Sequence, residues 1–138
     1  MNKKVWLGFA AVFVTLEILD YVVNGFILKS MYASITIWRS DMNAKMWIFS
    51  LVTLIGSYFL SFIFSKGYEG KGMPEGIRYG LYTGIWLNVG KAYGTYAMIA
   101  IPYTLALEWF LYGVVEYMIA GMVLAMVFSS GKSEPGKI

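Results

Sequence analysis

Met46 to Phe64 reads MWIFSLVTLIGSYFLSFIF and carries no charged side chain. A helix rises about 1.5 Å per residue, so roughly 20 apolar residues cross the hydrocarbon core of a bilayer. The stretch has the length and the apolarity of a spanning helix. Three others match it. Val5 to Leu28 holds only Glu17 and Asp20 as charges. Ile77 to Ile101 has Arg78 near its start and Lys91 inside. Pro102 to Phe128 contains Glu108 and Glu116. The spacing predicts an all-α integral membrane protein: a four-helix bundle of four transmembrane helices with a polar interior.

Composition agrees. The 138 residues are 59% hydrophobic and 14% charged, against about 25% charged in an ordinary soluble domain. There is no His and no Cys. Imidazole or thiolate metal sites, Cys nucleophiles, redox dithiols and His bases are therefore excluded. Metal ligation is not expected, and no cofactor is implied. The net charge of +3 does not mark a nucleic-acid binder, because the basic residues flank apolar runs instead of forming a patch.

Four spans leave no room for a second domain: one transmembrane domain is expected over residues 1–128 and a polar tail over 129–138. The Lys3-Lys4 start is not read as a signal peptide, since the following run is too long, carries two acids and lacks a small-x-small cleavage site. Ser40 or Asp41 can cap the second helix. The Gly-rich loop Lys66 to Gly72 precedes Pro74, which suits the first turn of the third. Pro102 marks a tight turn. The connection from Lys29 to Arg39 either prolongs the first helix or lies along the interface. Seven basic residues (Lys3, Lys4, Lys66, Lys71, Arg78, Lys132 and Lys137) fall on one side and three (Lys29, Arg39 and Lys45) on the other. The positive-inside bias then puts both termini in the cytoplasm.

Every segment carries one polar stripe at helical spacing. The first has Glu17, Asp20, Tyr21 and Asn24; the second Ser50, Thr53, Ser57 and Ser61. The third has Gly76, Gly80, Gly84, Asn88, Lys91 and Thr95; the fourth Glu108, Tyr112, Glu116 and Ala120. A charge at mid-bilayer costs about 2.5–3.5 kcal/mol on insertion scales, so these stripes are expected to face one another. By helical rise, Glu17, Asn88 and Glu116 fall near the midplane, Asp20 and Lys91 within roughly 3–5 Å of it, and Glu108 and Asn24 about 10 Å out.

Four carboxylates against one Lys cannot all stay charged in a low-dielectric interior. Acids hold protons, a cation compensates, or water reaches them. Glu17, Asp20, Tyr21, Asn24, Asn88, Lys91, Glu108, Tyr112 and Glu116 are thus the candidate ligand-binding residues. Aromatic rings near the acids also suit a cationic organic ligand. A plainer account serves for the small residues: hydroxyls bond back to their own helix, and GxxxG spacing lets two backbones approach.

Three stretches, WRSDM (Trp38 to Met42), KGYEGKG (Lys66 to Gly72) and EGIRYGLYTG (Glu75 to Gly84), resemble an uncharacterised family of small four-helix bacterial inner-membrane proteins. That resemblance implies a bacterial inner-membrane location and four helices, and brings no activity. The expected function is binding or transport of a cation, a proton or a small polar solute, in the lipid bilayer and in a homo-oligomer. The alternative is a structural or accessory subunit whose polar core specifies helix packing. No nucleophile–base pair or phosphate loop is visible, which points away from an enzyme.

Overall fold

A computed structural model describes residues 3–129. The polar tail beyond Ser129, with Lys132 and Lys137 of the orientation count, lies outside the described residues. The described chain is helical, with no strand among its residues. Helix α1 (Lys3–Val22) runs into a π-turn (Val23–Ile27) and a short α2 (Lys29–Ala33); a 3-10 turn (Met42–Lys45) leads into α3 (Met46–Gly67). Then come α4 (Met73–Met98) and α5 (Tyr103–Ser129).

Three helical stretches are long and apolar enough to cross a membrane: Lys3–Ile27, Met42–Gly67 and Tyr103–Ser129. The fourth expected span, α4, has the length but not the apolarity. It starts at Met73, four residues before the apolar run at Ile77, and so takes in Glu75 and Gly76 as well as Arg78, Asn88 and Lys91.

The helices pack antiparallel in the order α3–α1–α5–α4. Helix α1 is the centre. Ser61 of α3 donates to the carbonyl of Val5 at 2.7 Å, and Lys4 donates to the carbonyl of Phe128 on α5 at 2.8 Å. Gly8 sits where α1, α3 and α5 meet; a Cβ there would lie 2.8 Å from Leu124 Cδ2. Helix α4 leans on α5 through Gly76, Gly80 and Gly84, against the backbone of Gly121, Tyr117 and Val114. This close approach is the role the GxxxG spacing allows. Helices α3 and α4 meet near their connecting loop, where Tyr79 donates to the carbonyl of Leu60 at 2.6 Å, and make little contact elsewhere. The arrangement is therefore a bent row with an open α3–α4 side, whereas the stripes alone suggested a closed ring.

Two apolar clusters divide the molecule. One gathers Val5, Val12, Leu16, Leu60, Phe64, Leu124 and Phe128. The other gathers Val23, Leu28, Ala92, Ile101, Leu105 and Ala106. The connection after α1 belongs to the second: Met31, Tyr32, Ile35 and Trp38 fold back over it. It is a cover on the helix ends and does not prolong α1 as a straight helix.

The turns have local causes. Gly70 and Gly72 adopt φ of +73° and +81°, a region where a side chain is strained. The Glu75 carboxylate accepts the backbone N–H of Glu69 at 2.7 Å and of Lys71 at 2.9 Å, which holds the loop onto the first turn of α4. Asp41 does not cap α3. It pairs with Arg39 at 2.9 Å and Lys45 at 3.6 Å, and the 3-10 turn intervenes.

The Arg39 guanidinium bonded to Asp41 holds that carboxyl below the usual aspartate range. A depressed carboxyl stabilises the fold above its unfolded pKa and loses that contribution as pH falls through the folded value. We expect the Asp41 carboxyl carbon, followed by NMR, to titrate below about 3.9, the ordinary aspartate value. Arg39→Gln should move the midpoint up towards that value, and an unchanged midpoint would refute the pairing.

Candidate functional site

Between the two apolar clusters lies a polar layer. Asp20 on α1 and Glu116 on α5 bring their carboxyl groups close together across the α1–α5 seam, and Glu116 is only 7% exposed. The contact follows from the packing. The α1–α5 seam takes residues at helical spacing, Leu16 and Asp20 from α1 and Glu116 and Ala120 from α5, so the polar pair succeeds the apolar pair along the same line. Two ionised carboxylates have acceptors only. Placed this close, they repel unless a proton or a cation lies between them.

Tyr32 stands above this pair. Its hydroxyl donates to Asn24 Oδ1 and accepts the indole N–H of Trp109 at 2.6 Å. Asn24 Nδ2 in turn donates to the carbonyl of Asp20 at 3.1 Å. Trp38 packs edge-on to the Tyr32 ring at 5.6 Å and donates to the Tyr32 carbonyl at 3.0 Å. Tyr32 also lies within electrostatic reach of Asp20, Glu108 and Glu116. Burial pushes its phenol pKa up, so it stays a neutral donor. The π-turn helps to build this corner: Leu28 N–H reaches back to the Val23 carbonyl at 2.8 Å and Leu28 is buried, which turns α2 over the end of α1.

The expected site residues divide. Asp20, Asn24 and Glu116 come together, with Glu108 alongside; Glu108 Oε1 is buried with no hydrogen-bond partner among the described residues. Lys91 acts electrostatically on Glu116 but is exposed, its ammonium 5.4 Å from the Trp109 ring centroid. Glu17 turns to the other side of α1, where Ser50 of α3 donates to Oε2 at 2.9 Å. Asn88 is 5% exposed, donates to its own helix at Gly84 O (2.8 Å), and fills the space that Gly113 leaves on α5. Its placement serves packing. Tyr112 is half-buried against the second apolar cluster. Tyr21 does not join the group: it is 65% exposed and packs edge-on to Phe26 at 5.3 Å. Adjacent residues sit about 100° apart around a helix, so Tyr21 cannot face α5 beside Asp20.

Sequence reasoning missed Tyr32. It lies in a segment without helical periodicity, and the one available signal was its position among Met31, Ile35, Ile37 and Trp38, apolar residues in a connection between two spans. Among the described residues no group of three or more acids is placed to hold a metal ion. Set against protein-family models, curated proteins and solved structures, the chain shows no match.

Proposed function

We propose that the chain is a multi-pass protein of the bacterial inner membrane that binds a proton or a small monovalent or organic cation at the Asp20–Glu116 pair, and carries it across. In this reading α4 is the fourth span, both termini are cytoplasmic, and the glycine stripe and Asn88 of α4 are hidden against α5. The carrying observation is the carboxyl–carboxyl contact in a layer walled by apolar clusters. A shared proton there is the resident ion. A cation replaces it by meeting both carboxylates at once. Trp109, under Tyr32 and beside Lys91, offers a ring face to an organic cation.

The accessory reading would use the glycine stripe of α4 as a partner surface. Gly76, Gly80 and Gly84 are already occupied by α5, so that surface is spent inside the chain. The outer face of α4 is different. Gly90 and Gly94 have open space beside them and Lys91 is exposed. A second copy covering this face would spare lipid an ammonium near the midplane, and a homo-oligomer fits the reading on that ground.

The test is thermal unfolding of the purified full chain in detergent against sodium, potassium and tetraphenylphosphonium. A bound cation at a hundredfold excess over Kd stabilises by about 2.7 kcal/mol, so the midpoint should rise with at least one of them. Glu116→Gln, which preserves shape, should fold and lose the rise. A wild-type midpoint indifferent to all three, and to pH between neutral and mildly acid, would sink the proposal.

A further inference from the structure

Where α3 and α4 part, at the end bearing the Gly67–Gly72 loop, the protein has a cleft of about 350 Å³. Side chains of Ile63 and Tyr82 line it together with Glu69, Glu75 and Arg78. Because α3 is apolar enough to cross a membrane and ends at Gly67, the cleft opens at the level where hydrocarbon gives way to headgroups. Its lining is mostly apolar, with charged groups of both signs among it.

The charges are not equally free. Glu75 is spent on two backbone N–H groups. Glu69 is held by Lys71 at 3.0 Å, but both side chains are more than 60% exposed, and such surface pairs are weak and readily exchanged. Arg78 is exposed and forms no ion pair among the described residues, yet it lies within electrostatic reach of Glu69. An available guanidinium and an exchangeable carboxylate therefore share one mouth, above apolar walls.

We propose that this cleft seats a zwitterionic aminophospholipid. The phosphate lies on Arg78, whose planar fork matches two phosphate oxygens. The primary ammonium lies on Glu69 in place of Lys71, and an acyl chain runs over Ile63 and the Tyr82 ring, 48% and 63% exposed. Charge complementarity selects this occupant. An anionic glycerol headgroup would use Arg78 but bring no cation to Glu69. A choline headgroup has the charge but no N–H to donate.

Native mass spectrometry of the full chain, released from micelles holding equal phosphatidylethanolamine, phosphatidylcholine and phosphatidylglycerol with identical acyl chains, tests this. Phosphatidylethanolamine should be retained about tenfold over the other two, the worth of one charge-assisted hydrogen bond. Glu69→Gln should reduce that preference to the phosphatidylcholine level. Arg78→Gln should lower retention of all three. Lys66→Gln, a neighbouring cation outside the cleft, should change nothing. Equal retention of the three lipids by the wild type overturns the proposal without any variant; so does a preference for phosphatidylglycerol, or retention that Arg78→Gln leaves intact.

Discussion

Gly80→Leu should unfold the α4–α5 pairing at a cost of about 3 kcal/mol or more, at or beyond the upper end of what overpacking ordinarily costs. A Cβ at Gly80 would overlap the Tyr117 carbonyl oxygen and lie 2.6 Å from Met118 Cα. Those are backbone atoms of a helix and cannot rotate aside, so the two axes must separate. Gly76 and Gly84 make the same kind of approach one turn away on either side, which spreads the loss along the seam. Gly56→Leu is the matched control, because nothing lies within 4 Å of its would-be Cβ, and it should stay within about 0.5 kcal/mol of wild type. Reversible unfolding of both variants in mixed micelles decides the matter. Equal effects at the two positions would show that helix α4 does not dock through its glycines.

Tyr32→Phe should cost about 2 kcal/mol despite removing one oxygen atom. The ring keeps its packing against Trp38. What is lost is the hydroxyl that satisfies Trp109 Nε1 and donates to Asn24 Oδ1, and a buried polar group left unpaired costs about 1–3 kcal/mol. Tyr82→Phe, at an exposed ring, should be neutral within about 0.5 kcal/mol. Hydrogen exchange gives the second readout: amides of residues 28–39 should exchange faster in Tyr32→Phe while those of α3 stay unchanged. Unaltered exchange in that segment would mean the hydroxyl does not anchor it.

Much of the architecture was legible because hydrocarbon imposes simple rules. Length and apolarity mark α1, α3 and α5, and the i, i+4 run of Gly76, Gly80 and Gly84 marks a seam. Helical rise put Asp20 within roughly 3–5 Å of the level of Glu116. It could not say which neighbour each stripe meets. On α1 the stripe is wide enough to serve two helices, so Glu17 goes to Ser50 of α3 while Asp20 goes to α5, and Tyr21 is left outside both. Nor could periodicity reveal the open α3–α4 side, since that depends on α4 closing on α5 through glycines and on α1 taking the central place. Tyr32 was hidden for another reason: its role comes from a connection folding back, and connections carry no repeat to read.

The glycine seam also bears on biogenesis. Helix α4, with its charges and glycines, is a poor candidate to leave the translocation channel by itself, whereas α5 is a good one. The two are joined by a turn of a few residues, Ile99 to Pro102, so the nascent chain can deliver them as one hairpin in which α5 supplies the greasy surface and shields the polar backbone of its mate. In the proposed four-span topology, membrane entry of nearly the whole second half of the protein waits until synthesis has passed well beyond Tyr103, and a ribosome stalled before that point leaves α4 stranded in water.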